Sequence, residues 1–228
     1  MINEMTQSDN NVHASAENAG AQNVFAVTPG YIRAGKKSAG ELKSLIFDML
    51  TQFGSVLATE VSEQCGVALI TAFPEGEYDP KAEVFLIRPE KTVDGKVFII
   101  TAGRDDLPSA LEAKYALTAS GVESVILQTA GSADIAALAG LKERLCSAAA
   151  CIAVAGSDNA LPGIVAGVTK VPVIALPVTT EGKNTFSGWL SLLGNLGSGA
   201  AGLTVVGIDN ASGAGFAAAR IINSRLQK

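Results

Sequence analysis

Apolar residues in this chain gather into short runs separated by stretches in which they recur every three or four positions. The clearest runs are Val97-Phe98-Ile99-Ile100, Val122 to Leu127, Cys151-Ile152-Ala153-Val154, Val173-Ile174-Ala175-Leu176 and Leu203 to Ile208. Runs this short, bounded by turn residues, read as strands buried on both faces. Helical patterns lie between them. Pro108 opens one whose apolar face is Ala110, Leu111, Ala113, Leu117 and Ala119, with Gly121 closing it. Residues 133–150 read as largely helical, Pro162 suits the first turn of a helix through Gly167, and Phe186–Leu196 and Gly213–Leu226 follow. This alternation predicts a three-layer α/β sandwich built on a parallel sheet.

The region before residue 97 has a different rhythm. Ser38 with Glu41 forms a capping-box pattern ahead of Leu42, Leu45, Ile46, Met49 and Leu50, predicting a helix to Phe53 closed by Gly54. A strand at 56–59, a helix at 62–72, the turn-rich 74–80 and a strand at 83–87 make 38–96 a small α/β module, with 91–96 as its joint. Residues 1–37 read as a largely flexible segment: a polar tail to about 23, a short strand at Val24–Val27 and a Pro29-Gly30 turn. Arg33-Ala34-Gly35-Lys36-Lys37 reads as a solvated basic loop, or as a phosphate contact.

Composition narrows the function classes. With 48% hydrophobic and 17% charged residues, 228 residues can bury a large core. The net charge of −5 contains no basic block, which argues against a nucleic-acid partner. No apolar run reaches the ~18 residues of a membrane span, and the polar start lacks a signal peptide's apolar core. Three cysteines without metal-type spacing fit a cytoplasmic setting. The single histidine, His13, lies in the polar tail, so histidine acid–base chemistry and multi-histidine metal sites are excluded from the folded body.

Candidate chemistry sits at the strand ends, where open parallel sheets bind ligands. Gly103, Arg104, Asp105 and Asp106 join one strand to a helix start suited to a phosphate, although either aspartate equally suits a cap. Ser157, Asp158 and Asn159 occupy the same place on the next strand, and Asp158 reads as a general base or a helix cap. The donor-rich segment 177–187 offers Thr179 and Lys183, and Asp209 and Asn210 end the last strand or cap the final helix. The glycine-rich 194–202 follows a helix and precedes a strand, the wrong order for a dinucleotide or P-loop fingerprint.

The runs ITAGRDDLP (100–108), AGSDNALPGIVAG (155–167), VPVIALP (171–177) and SGAAGLTVVGIDNASGAGFAAARII (198–222) resemble the aminoimidazole ribonucleotide carboxylase superfamily. They are most similar to its LarB branch, the pyridinium biscarboxylate mononucleotide synthases, a likeness that extends more weakly to VLATEVS (56–62). The resemblance implies a flavodoxin-like, PurE-like fold in 97–228 and a homo-oligomer, of octamer type, with active sites between subunits. It implies a nucleotide substrate with CO2 or bicarbonate as co-substrate, no tightly bound cofactor, and Mg as an option. In the LarB branch the pyridinium ring of nicotinic acid adenine dinucleotide is carboxylated and its phosphoanhydride hydrolysed, on the way to the nickel-pincer nucleotide.

On that resemblance, Asp158 and Asp106 are the expected catalytic residues. Gly103, Arg104, Asp105, Ser157, Asn159, Thr179, Lys183, Asp209 and Asn210 are the expected substrate contacts. Three family positions differ. The branch's cysteine nucleophile falls on Gly199, and the purine branch's histidines fall in Thr129–Ala137 and on Ala160. Two other readings therefore stand beside a LarB-like enzyme: a catalytically impaired paralogue that binds a nucleotide or pairs with an active homologue, and an aminoimidazole ribonucleotide carboxylase or mutase of purine biosynthesis.

Overall fold

A computed structural model describes residues 29–90, 92–156, 158–179 and 186–226. The expected polar tail and the Val24–Val27 strand lie outside them. In chain order the elements begin with β1 (Gly30–Arg33), α1 (Ala39–Phe53), β2 (Val56–Thr59), α2 (Glu63–Ala72), β3 (Glu77–Asp79) and β4 (Val84–Ile87). They continue with β5 (Val93–Thr101), α3 (Leu107–Ala119), β6 (Val122–Gln128), a 3-10 turn (Gly131–Asp134), α4 (Ile135–Gly140), α5 (Lys142–Cys146) and β7 (Ala150–Ala155). The last are α6 (Leu161–Val168), β8 (Val173–Pro177), α7 (Phe186–Leu196), β9 (Leu203–Val205) and α8 (Ala211–Leu226).

The main sheet has the order β6-β5-β7-β8-β9, and every pairing is parallel. Numbered within the sheet this is 2-1-3-4-5, the flavodoxin-like order. Alternate side chains of each strand serve opposite cores. Ile99 and Ile152 pack against α3 and α8, whereas Phe98, Ile100 and Cys151 face the α4–α6 side. The chain leaves β5 toward β6 on one side and β7 toward β8 on the other. Their outgoing loops therefore diverge and leave a crevice at the carboxyl edge.

The second sheet, β1-β2-β4-β3, is mixed: β1 and β2 are parallel, and the other pairs antiparallel. One face buries Leu42, Ile46 and Leu69 of α1 and α2. The other sets Leu57 and Leu86 against Ala116 and Ala119 of α3. Helix α3 is thus clamped between two sheets, which explains its alanine-rich sequence: Ala110, Ala113, Ala116 and Ala119 are all buried. At Gly215 of α8 a Cβ would stand 2.6 Å from that of Ala116, so the α3–α8 approach needs this glycine.

Several local expectations change. β1 forms where a turn and a basic loop were expected, because pairing with β2 buries Ile32. β3 lies within the turn-rich 74–80 as a three-residue edge strand, pinned where Arg88 donates two hydrogen bonds to Glu77. The helix expected over 133–150 breaks into a 3-10 turn and two short helices, and the strand expected at 203–208 stops at Val205. β5 begins earlier, at Val93, with a register shift before Lys96 where Gly95 takes φ 138°.

Ile152, fully buried in the central strand, is expected to be costly to truncate. Ile152→Ala should lower unfolding free energy by about 2–5 kcal/mol in urea titration, whereas Val67→Ala on an exposed helix face should stay within about 0.5 kcal/mol.

Candidate active site

Asp106 stands at the N-cap position of α3 and makes no side-chain cap. Its carboxylate turns back into its own loop instead. Oδ2 accepts the Ala102 N–H at 3.3 Å, and the carboxylate also accepts the Gly103 N–H. Oδ1 is lodged against Gly156, just past β7, where a Cβ would overlap it. Asp106 is 4% exposed, and burial pushes its carboxyl above the ordinary range. The amides of Ala102 and Gly103 pull the other way, while the charges of Asp105 and Asp158 add to the rise.

Asp158 comes from the loop after β7 and spends both oxygens on backbone donors. Oδ2 accepts the Ser132 N–H at 2.5 Å, and Oδ1 accepts the Ala160 N–H at 3.1 Å. It therefore reaches across to the loop after β6 instead of simply capping α6. That loop is itself built to receive it. Thr129 Oγ1 donates to the Thr101 carbonyl at 3.0 Å, and the Gly131 N–H donates to Thr129 Oγ1 at 3.0 Å. Gly131 has φ +63°, and a Cβ there would collide with Asp158 Oδ2. Beneath it, Thr101 Oγ1 is buried without a hydrogen-bond partner among the described residues. Such an orphan costs about 1–3 kcal/mol, a cost that core packing does not call for.

A second polar group closes the β8–β9 side. Asp209 accepts from Thr179 twice, from its N–H at 2.7 Å and from Oγ1 at 2.8 Å. These bonds hold Asp209 at φ +56°, a left-handed conformation that an aspartate tolerates better than most residues. Asn210 caps α8 by accepting the Gly213 N–H at 3.0 Å. Helix α7 runs along this edge. Gly188 packs beside Thr179 and Ile208, Ser191 Oγ donates to the Ala155 carbonyl at 2.5 Å, and Gly194 lies 3.7 Å from Asn159, measured from an ideal Cβ.

The structure therefore sets Asp106 and Asp158 among the loops after β5, β6 and β7, and binds Thr179 to Asp209. Arg104, Asp105 and Asn159 are exposed on the rim, Gly103 serves the Asp106 loop, and Asn210 is a helix cap. Ser157 and Lys183 lie outside the described residues. Sequence reasoning placed Gly156 only within the turn after β7 and did not single out Gly131 or Ser132. The available signal was a glycine just beyond β6 and β7, whose missing side chain marks close approach. Cys146 ends α5 on the chain leading into the amino end of β7, so neither it nor Cys151 stands at the carboxyl edge where Asp158 lies. Cys151 is at the amino end of β7, about 13 Å of strand from its carboxyl end, and burial pushes its thiol up to about 12.

Gly199 has open space around its Cβ position, and its neighbour Ser198 lies beside Gly163 in the first turn of α6. Among the described residues, no ion pair reaches Asp106 or Asp158, and no three His, Cys, Asp or Glu side chains gather to hold a metal ion. No described helix is long and apolar enough to cross a membrane. A hollow of about 1030 Å³ opens at the opposite, amino ends of β5 and β6, lined in part by Arg88, Lys96, Lys114 and Ser124.

The family model described as AIR carboxylase matches residues 96–228. The uncharacterized protein MJ0165 of Methanocaldococcus jannaschii is 39% identical over 129 residues, which cover 56% of this chain and 49% of that protein. The matched segment thus spans about half of each. All the strand-end loops described above fall within both the family match and the main sheet.

Gly156→Ala is expected to lose about 1–3 kcal/mol because its methyl displaces the Asp106 carboxylate. Gly40→Ala, in the open on α1, should gain about 0.5–1 kcal/mol. Thermal and urea unfolding of the two variants checks the contrast.

Proposed function

Because the chain belongs to the AIR carboxylase family through residues 96–228, we propose that it is a PurE-like carboxylase or mutase of a nucleotide. CO2 or bicarbonate is the co-substrate, and the crevice between the loops leaving β5 and β7 is the active site. The observation that carries this reading is that Asp106 lies against Gly156 and Asp158 against Gly131, at the point where the strand order reverses. Adding a carboxylate to a ring requires a proton to leave it, and a carboxylate whose protonated form is favoured by burial accepts a proton more readily than an exposed one. Arg104 on the rim supplies a cation for phosphate or carboxylate, with Thr179 and Asp209 at the far side for hydroxyls or amines.

The finer reading is a LarB-like enzyme acting on nicotinic acid adenine dinucleotide. The motif likeness and the α/β module ahead of the family domain support it. Gly199 favours the second reading, a paralogue that binds the nucleotide without turning it over, because a glycine forms no adduct with a pyridinium ring. Incubation with nicotinic acid adenine dinucleotide or aminoimidazole ribonucleotide and 13C-bicarbonate separates the readings. A carboxylated product, with AMP from the dinucleotide alone, supports an enzyme and identifies its branch. Saturable binding of either nucleotide with no product selects the binding paralogue. The open space at Gly199 makes Gly199→Cys structurally tolerable. In the LarB-like reading this variant gains AMP release from the dinucleotide, and an unchanged rate counts against that branch.

The same proposal includes a homo-oligomer. Helix α7 turns Phe186, Trp189, Leu190, Leu193 and Leu196 outward, each more than half exposed, an apolar face suited to a second copy. Light scattering should find an assembly of several chains for the parent protein, and Trp189→Asp with Leu193→Asp should reduce it toward the single chain. A parent protein that runs as a single chain refutes this part.

A further inference from the structure

We infer that Glu112 and Tyr31 are positioning residues for the nucleotide site. They hold the first turn of α8 and, through it, the Asp209–Thr179 pair at the far side of the crevice. The inference rests on the nucleotide reading of that crevice and deepens it, because Tyr31 lies on β1, outside the family match over 96–228. The small mixed sheet is then a working part of the site.

Asp209 and Thr179 are exposed, so a ligand can reach them. Their geometry is not self-supporting, since Asp209 sits at φ +56°. The turn that carries it is stapled at both ends. The Asp209 N–H donates to the Pro177 carbonyl at 2.9 Å, which fixes the turn to β8. The Asn210 carbonyl accepts the Ala214 N–H at 3.1 Å, and the Asn210 side chain accepts the Gly213 N–H at 3.0 Å. The second staple therefore holds Asp209 only as well as the first turn of α8 is itself held.

That turn is fixed from outside its own helix. Ser212 is 3% exposed, and its N–H is one of the helix-start donors with no partner inside the helix. It donates to Glu112 of α3 at 3.1 Å, and the Ser212 hydroxyl hydrogen-bonds the same carboxylate. An ionised carboxylate only accepts, so the serine donates to it and receives from the Tyr31 hydroxyl 2.9 Å away. Tyr31 lies 3.2 Å from the hydroxyl of Thr59, buried on β2. A relay from Thr59 through Tyr31 and Ser212 to Glu112 thus joins the small sheet, α8 and α3. The carboxylate also places negative charge at the start of α8, where the helix dipole favours it. Without it the buried Ser212 N–H loses its acceptor, and the turn frays toward Asp209.

Hydrogen–deuterium exchange on the full chain without nucleotide reads the hold itself. Glu112→Ala should speed exchange at Thr179 and 209–214 relative to β5 and β7. Glu112→Gln keeps an acceptor oxygen and should restore most of the protection. Tyr31→Phe keeps the ring against Phe216 and should give a smaller effect of the same sign, so the test survives if Glu112→Ala fails to fold. In titrations with nicotinic acid adenine dinucleotide and aminoimidazole ribonucleotide, Glu112→Ala should weaken binding by about 2–30-fold. Where there is turnover it should raise KM and leave kcat nearly unchanged, with Glu112→Gln close to the parent.

Unchanged exchange at Thr179 and 209–214 in these variants overturns the inference, as does faster exchange spread equally over β5 and β7. Local loosening with no loss of affinity overturns it as well. A parent protein that binds neither nucleotide, while the variants loosen 209–214, refutes the nucleotide reading and with it the positioning role, and leaves only the relay standing.

Discussion

Two glycines without side chains, Gly131 and Gly156, give two carboxylates their places. Asp158 occupies the space beside Gly131, and Asp106 the space beside Gly156. The rest of the crevice depends on this exchange of a Cβ for a carboxylate. It draws the loops after β5, β6 and β7 into one cluster, although the strand order sends the chain away from β5 and β7 in opposite directions. The Asp158 charge disfavours the ionised form of Asp106, which opposes such an approach. It holds because Asp158 is met by the amides of Ser132 and Ala160, and Asp106 by those of Ala102 and Gly103. Backbone donors fixed by the ends of strands cost little to reorganise when charge changes nearby, which is the property an acid–base site needs.

Rigidity behind the crevice comes from ordinary packing. β5 and β7 are central strands covered on both faces, and Val97, Ile99, Ile100, Ile152 and Val154 are fully buried. On one side α3 is pressed between the main sheet and the small mixed sheet. The small mixed sheet is latched near the start of α8 as well, through β1. Tyr31 packs edge-on against Phe216 at 5.4 Å, and its hydroxyl lies 2.9 Å from that of Ser212 in the first turn of α8. Glu112 accepts the Ser212 N–H at 3.1 Å, and burial raises its carboxyl. The start of α8, which follows the Asp209 turn, is therefore set partly by residues outside the family domain.

Much of this was legible in the sequence, for identifiable reasons. The five strands of the main sheet and their helices carry strong periodicity, although the edge strands β6 and β9 are only partly buried, and Pro108 and Pro162 mark two helix starts. The capping box at Ser38 and Glu41 forms as expected, with both reciprocal bonds present. The strand-end aspartates stood out because they fall at the carboxyl ends of the strands, where open parallel sheets bind ligands. What stayed hidden depends on partners distant in sequence. β1 and β3 are short, and only pairing with β2 and β4 makes them strands. Asp106 and Asp158 are held by amides at positions 102, 103, 132 and 160, and backbone donors leave no mark in a sequence. Neither does the outward turn of α7, whose small and polar residues Gly188, Ser191 and Asn195 face inward.

Hydrogen–deuterium exchange with and without nicotinic acid adenine dinucleotide or aminoimidazole ribonucleotide tests the central claim most directly, because it reads where a nucleotide sits irrespective of turnover. Binding at the reversal of the strand order slows exchange in the peptides spanning 101–107, 129–133 and 156–161. Slowing confined to the opposite edge, around Arg88–Lys96 and 121–124, or no slowing at all with either nucleotide, would contradict it.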